Sequence, residues 1–214
     1  MRGRYDRPTP LRVLRTRNVL GALAMALALT LPACGGGDGT QSDAKNKASA
    51  TDHNEADVAF ASSMIQHHAQ ALQMVNLTLG RTLDPKVEQL AEDIRAAQSP
   101  EVETMAGWLQ EWGEDIPDTV LDHAHGGQDM DDMQNMEEVP GMMTGDDMKA
   151  LEDAPDKHFQ TMWLQAMTEH HEGAVEMART EQEHGLFKPA IDLAGTIAKS
   201  QTAEIQTMGQ LVSN

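Results

Sequence analysis

The chain has 214 residues, a formal net charge of −18 and a calculated isoelectric point near 4.7. This acidity argues against nucleic acid as a partner, because the phosphates would be repelled. Only 3% of the residues are aromatic whereas 15 are methionines, so the core has to be built from aliphatic side chains and Met, which favours helices. The length predicts one domain with extensions. A single cysteine, Cys34, excludes an intramolecular disulfide and a thiolate metal cluster.

The N-terminal segment has the pattern of a bacterial export signal. An Arg-rich start is followed by an apolar run from Val19 to Leu31, which has the length of a signal-peptide core and is short for a membrane span. Leu31 lies three positions before Cys34, and the small residue Ala33 directly precedes it. This resembles the lipoprotein cleavage box, and an ordinary secretory signal with an incidental cysteine is the alternative.

These features predict a lipoprotein signal peptide over residues 1–33, with lipidation at Cys34. Residues 34–51 are rich in Gly, Ser, Asp and Lys, which is typical of a flexible tether. We therefore expect an extracytoplasmic protein that is held on the cell membrane by a lipid anchor only. The remaining residues, 52–214, form the predicted domain.

The first part of this domain, residues 52–113, predicts a helical hairpin. One helix is expected from Ala56 to about Leu79, with Gly80 as its stop. Asp84 followed by Pro85 begins a second helix, which runs to about Trp112 and ends at the following glycine. Pro100 lies inside this second helix and predicts a kink, or a break with Ser99 as a new cap.

The first helix carries the pattern M-x-x-H-H-x-x-A-x-x-M, which begins at Met64 and ends at Met74. At about 100° per residue, its apolar positions and Asp57 share one stripe. His67 and His68 flank the centre of that stripe on opposite sides. We therefore predict two metal sub-sites, one of His68 with Met64 and Asp57, and one of His67 with Met74.

The second helix places two polar side chains, Gln98 and Glu101, on the same stripe as apolar residues such as Ile94. Burying these groups without partners is costly. A ligating histidine commonly donates its other ring N–H to a carboxylate or carbonyl. We therefore expect Gln98 and Glu101 to orient the histidines of the first helix.

The connection over residues 114–154 is long and rich in methionine. Thioethers are soft, uncharged ligands that select Cu(I). An acidic disordered loop in which Met is incidental is the alternative, and a short helix is expected at 145–152. The candidate metal ligands of the connection are His123, His125, Met130, Met133, Met136, Met142 and Met143.

The third part, residues 155–214, repeats the first hairpin. Helices are expected from Pro155 to His184 and from Lys188 to the C-terminus, and the repeated side chains lie 103 positions after their counterparts. Asp57 corresponds to Gln160, so an acidic ligand is expected in one half only. The repeated candidate residues are Met167, His170, His171, Met177, Gln201 and Glu204.

Two such hairpins predict an all-α fold, a ferritin-like four-helix bundle joined by the long Met-rich connection. The motif residues, together with the following Q-x-x-E-x-x-x-M and the segment from Pro140 to Thr144, resemble the CopM-like family of domains of unknown function (DUF305). The resemblance covers about residues 52–212. It implies a helical bundle whose motif includes the Met and His-His positions of both copies. Some members of the family are implicated in periplasmic copper binding and resistance.

Three functions remain open from the sequence. The favoured one is a lipoprotein that binds Cu(I) or Cu(II) through His and Met and buffers or transports the copper. We do not expect it to be an enzyme, and the sequence identifies no protein partner. The second is a metal-independent structural or interaction module whose histidines are core polar groups. The third is a di-iron oxidase, although only Glu101 and Glu204 form a carboxylate pair on the inner stripes of the helices.

Overall fold

The structure is a computed structural model that describes residues 52–123 and 139–213. All regular structure in these two ranges is helical, which confirms the all-α prediction, and no helix there is long and apolar enough to cross a membrane. Cys34, with the predicted signal peptide and tether, lies outside the described residues. So do His125, Met130, Met133 and Met136. The helices are α1 (Glu55–Asn76), α2 (Pro85–Trp112), α3 (Val120–His123), α4 (Gly145–Glu152), α5 (Asp156–His184) and α6 (Lys188–Val212).

The helix ends follow the local chemistry of the sequence. Asn54 caps α1 in a capping box with Asp57, and Asp84 caps α2 with a proline in the first turn. Gly113 ends α2 in the left-handed conformation with φ of 78°. The helix α1 ends at Asn76, before the predicted end at Leu79, and the short α3 was not predicted.

The helix α2 continues through Pro100. The predicted break, with Ser99 as a new cap, is therefore wrong. A continuous helix of 28 residues keeps Gln98 and Glu101 in register with the apolar residues before and after them.

In each half of the domain the two long helices pack on each other, α1 on α2 and α5 on α6. The two motif helices, α1 and α5, join the hairpins and run antiparallel. Two contacts fix this direction: the Asn54 side-chain amide donates to the His184 carbonyl (2.9 Å), and the Trp163 indole N–H donates to the Met74 carbonyl (2.9 Å). The two copies of the motif therefore meet near the middle of the bundle.

A polar layer divides the apolar core into two clusters. One cluster contains Ile94, Met167 and Met208, and the other contains Met64, Met105 and Ile197. Between these positions, the inward-facing residues of the four long helices are polar and are buried or half-buried. The polar layer, as we use the term, consists of His67, His68, Gln98, Glu101, His170, His171, Gln201 and Glu204.

Candidate metal centre

The centre of the polar layer is a pair of histidines, one from each copy of the motif. The rings of His67 and His170 lie with centroids 3.7 Å apart and planes inclined by 39°. Both side chains are completely buried. The antiparallel crossing of α1 and α5 makes this contact, because it places equivalent residues of the repeat opposite each other.

The outer two histidines each pair with a glutamate on the partner helix of their own hairpin. His68 Nε2 lies 2.8 Å from Glu101 Oε2, and His171 Nε2 lies 2.7 Å from Glu204 Oε2. The carboxylates remain partly accessible, with side-chain exposures of 14% and 19%. The contacts expected for the two glutamates are therefore present in both halves of the repeat.

These contacts leave the Nδ1 atoms of the layer unpaired. His67 Nε2–H donates to the Pro140 carbonyl at 3.1 Å, so the lone pair of this imidazole is on Nδ1. Donation from His68 and His171 to their glutamates has the same consequence. The Nδ1 atoms of all four histidines are buried without a hydrogen-bond partner, and His170 Nε2 also lacks a well-aligned one.

Burial keeps the central pair neutral. It lowers the pKa of His67 well below the usual value, with smaller contributions from repulsion by His68 and His171, while the bond to Pro140 opposes the change. Burial also lowers the pKa of His170 well below the usual value, with added repulsion from the other three histidines, opposed in small part by the nearby His67 backbone. Neutral imidazole is the form that binds metal ions.

Gln98 and Gln201 do not orient the histidines as expected. Each is 2% exposed, and both the nitrogen and the oxygen of each amide lack a hydrogen-bond partner in the structure. Buried amides without partners are expensive, so a ligand or water beside these two amides would lower the cost of burying them.

Asp57 is not close to the histidines, and its predicted sub-site with Met64 and His68 does not form. It lies eleven residues before His68 on α1, about 16 Å along the helix axis. Its buried carboxylate instead accepts backbone N–H groups from Asn54 (2.7 Å), Leu186 (3.1 and 3.2 Å) and Phe187 (2.9 Å).

The repeat partner of Asp57 has an equivalent role. Gln160 Oε1 accepts the backbone N–H of Asp84 at 2.8 Å, and Asp84 is the repeat counterpart of Phe187. Position 57 and position 160 therefore each anchor the turn of the opposite hairpin. Asp57 and Gln160 therefore differ in how each holds the turn of the other hairpin: Asp57 does so with a carboxylate and Gln160 with an amide oxygen.

The predicted methionine ligands lie on both sides of the polar layer. Met64 and Met167 are fully buried, one in each apolar cluster, and each precedes a central histidine by three residues on its helix. Met74 is buried two turns from His67, so their predicted pairing is not formed, and Met177 is half-buried. His123 ends α3 at the boundary of the described residues.

A segment that we call the strap, residues 139–143, covers the central pair. Besides the Pro140 bond to His67, the Gln70 amide both donates to the Met143 carbonyl (2.9 Å) and accepts its N–H (2.7 Å). On α5, Gly173 admits the strap backbone, because a Cβ there would meet Pro140 and come within 2.7 Å of the Gly141 Cα. Gln70 and Gly173 occupy equivalent positions in the two copies of the motif. This departure from the repeat is the sequence signal by which the strap could have been found.

The chain matches the family model described as domain of unknown function (DUF305) over residues 57–212. The chain belongs to this family. A DUF305 protein of Streptomyces coelicolor, described as secreted, is 34% identical with a TM-score of 0.62, and the match covers 74% of this chain and 92% of that one.

CopM is a second protein of known structure to which the present chain is similar. Its Cu(II)-bound form is 27% identical with a TM-score of 0.59, and its Cu(I)-bound form is 25% identical with a TM-score of 0.58; each match covers 74% of this chain and 96% of CopM. An uncharacterised protein of Acanthamoeba polyphaga mimivirus is 38% identical over 55 residues, which span 26% of this chain and 36% of that protein.

The donor chemistry of the DUF305 polar layer fits a soft metal ion. Four buried imidazoles with unpaired Nδ1 atoms are flanked by two buried thioethers. Within residues 52–123 and 139–213, no three His, Cys, Asp or Glu side chains converge closely enough to hold an ion.

The Gly173→Ala substitution is expected to displace the strap and destabilise the protein by about 1–3 kcal/mol, because the added Cβ meets backbone atoms that cannot rotate away. Chemical denaturation measures this change. Gly107→Ala is the matched control: it lies on α2 with no atom within 4 Å of its Cβ and should stabilise by about 0.5–1 kcal/mol. Equal effects of the two substitutions would contradict the close packing of the strap.

Glu181 is a buried acid that the sequence interpretation missed. It is 1% exposed on α5, next to the carboxylate of Asp57. Burial, followed by contact with Asp57 and the negative charge of Asp57, raises the pKa of Glu181 to about 8. No well-aligned hydrogen bond reaches its carboxyl oxygens, and the position adjoins a cavity of about 210 Å³ lined by Phe60 and Met177.

This pKa predicts that the protein loses stability as pH rises. Above about pH 4.5 the unfolded chain releases the Glu181 proton, whereas the folded chain keeps it until about pH 8, so the free energy of unfolding falls across this window by at most about 4 kcal/mol. Glu181→Gln should remove that slope, as measured by denaturation at pH 5 and pH 8. The exposed Glu183→Gln is the control, and an unchanged slope in Glu181→Gln would contradict the raised pKa.

Proposed function

We propose that this DUF305 protein binds copper, chiefly as Cu(I), within the polar layer, as cargo that is buffered or passed on. The observation that carries the proposal is the contact between the buried imidazoles of His67 and His170, within a layer of four histidines whose Nδ1 atoms have no partner. A bound ion would satisfy the lone pairs of the imidazoles that hold it, and it would lower the cost of burying them.

His67 and His170 are the proposed primary ligands, because they are neutral, buried and in contact across the two halves. His68 and His171 are the proposed supporting ligands, held through Nε2 by their glutamates in the arrangement that orients ligating histidines elsewhere. Thioether donors that would add to the preference for Cu(I) are Met64 and Met167.

The relationship to CopM supports this choice of metal, because CopM is described in Cu(I)-bound, Cu(II)-bound and Ag-bound forms. The acidic composition, with a net charge of −18, attracts cations in general. We further propose that the role is binding and not catalysis.

We also propose that the protein acts outside the cytoplasm as a lipoprotein anchored at Cys34. The N-terminal signal pattern supports this, and the Streptomyces coelicolor relative is described as secreted. Metabolic labelling with a fatty acid tests the anchor, and a Cys34→Ser variant should lose the label. Labelling that persists in that variant would contradict lipidation at this cysteine.

An anaerobic Cu(I) titration against a competing chelator tests the proposed function. We expect binding tighter than micromolar, a rise in the unfolding temperature on addition of Cu(I), and far weaker effects from Fe(II), since imidazole and thioether donors suit the softer ion. Binding no tighter than micromolar would overturn the proposal.

One observation favours the metal-independent alternative: Glu101 and Glu204 already provide hydrogen-bond partners for the Nε2 atoms of the two outer histidines without metal. In that case the layer fixes the register of the two hairpins. A folded protein whose unfolding temperature does not respond to Cu(I), Ag(I) or Cu(II) would establish this alternative.

A further inference from the structure

A second group of methionines lies on the outer side of the strap, away from the polar layer. Met142 and Met143 of the strap and Met162 of α5 line one surface pocket of about 370 Å³. Met142 and Met143 are half-buried, and Met162 is 37% exposed, although it is a large apolar side chain. These side chains are therefore partly exposed to solvent, unlike those of Met64 and Met167.

The backbone positions of these methionines are well fixed. Gln70 holds both polar backbone groups of Met143, and Gly141 lies in close contact with α5, where a Cβ would come within 2.9 Å of the His170 carbonyl oxygen. Met162 is held on α5 itself. A binding site on such a scaffold requires only side-chain rotation, which lowers the entropic cost of gathering the ligands.

The edge of the pocket carries negative charge. Asp147 and Glu169 line it and are both exposed, and the Thr144 hydroxyl fixes Asp147 by donating to its carboxylate at 2.7 Å. Uncharged thioethers bind a monovalent soft cation without neutralising it, so nearby carboxylates add attraction without entering its coordination. Hard divalent ions would gain little from three sulfur ligands.

We propose that Met142, Met143 and Met162 form a surface binding site for a soft monovalent cation of the Cu(I) or Ag(I) class. None of its residues belongs to the polar layer, so the site stands or fails independently of the buried histidine centre. Leucine at these three positions would keep an apolar side chain of similar size but would lack the thioether. The sulfur atoms are therefore what the proposed site requires.

The test is an anaerobic titration of the intact protein with Ag(I), followed by NMR of ¹³C-labelled methionine methyl groups. The methyl signals of Met142, Met143 and Met162 should shift together over the same added equivalent. The triple variant with leucine at the three positions should bind one equivalent less. Met148→Leu is the matched control, because Met148 is buried on α4 beside the pocket without lining it, and this variant should keep the full stoichiometry.

The same titration in a variant with His67→Phe and His170→Phe separates the two sites. The three methyl signals should still shift there, whether or not the buried centre binds metal. The proposal is overturned if the Met162 methyl signal does not move with those of the strap methionines, or if the triple leucine variant binds as much Ag(I) as the wild type.

Discussion

Replacing His67 and His170 together by phenylalanine is expected to raise the Kd for Cu(I) at least about 100-fold, which corresponds to about 2.7 kcal/mol. The substitution removes the two proposed primary ligands and keeps a planar ring in each position, so the contact between α1 and α5 is preserved. The folded protein should persist, because three of the four nitrogen atoms that the phenyl rings replace have no partner, and only the bond from His67 to the Pro140 carbonyl is lost.

A competition titration with a Cu(I) chelator measures this loss, and the unfolding temperature in the absence of metal reports on the fold. Exposed histidines supply the control: His158→Ala with His184→Ala should leave the Kd unchanged. Wild-type affinity in the phenylalanine variant, with the fold intact, would eliminate the central pair as the copper ligands.

Removing the supporting carboxylates should have a smaller effect. Glu101→Gln with Glu204→Gln keeps a hydrogen-bond acceptor near each outer histidine but removes the charge that favours Nε2–H donation. Such orienting partners are typically worth about 10- to 100-fold in metal affinity. An effect as large as that of the central pair would mean that the outer histidines, His68 and His171, are the primary ligands instead.

The sequence predicted the helices well because their ends are coded locally. Asn54, the Asp84–Pro85 pair and Gly113 have side chains or backbone preferences that act within one turn, and the hydrophobic period is maintained over many residues. Pro100 misled the local interpretation, since α2 continues through it. Packing against the rest of the bundle outweighs one lost hydrogen bond.

The site was predicted less well because a helical projection at about 100° per residue gives the direction in which a side chain points. It does not give the position of that side chain along the helix axis. The projection correctly placed Asp57 on the buried face, but it hid the eleven residues that separate Asp57 from His68 along α1. It also gave His67 no partner on the other motif helix, where His67 contacts His170. That contact depends on the register between α1 and α5, which comes from long-range packing and has no local code.

Asp57→Ala is expected to lower the free energy of unfolding of the metal-free protein by about 3–5 kcal/mol, a large part of the stability of a small domain. Three backbone N–H groups lose their acceptor: the buried one of Phe187 and the partly buried ones of Asn54 and Leu186. A fully buried donor without a partner costs about 1–3 kcal/mol, and a partly buried one costs less. The loss also opens the capping box of α1. Chemical denaturation without metal measures the change.

Gln160→Ala is the matched control from the other half of the repeat. It removes a single hydrogen bond, to the exposed N–H of Asp84, and should cost about 1 kcal/mol or less. Asp57→Ala should also let the pKa of Glu181 fall towards its usual value, because contact with the Asp57 carboxylate contributes to raising it. If Asp57 were a copper ligand, as its place on the helical wheel suggested, the substitution would weaken Cu(I) binding and leave the metal-free protein almost as stable. An anchor for the turn between α5 and α6 gives the opposite result, with unchanged Cu(I) affinity in the molecules that remain folded.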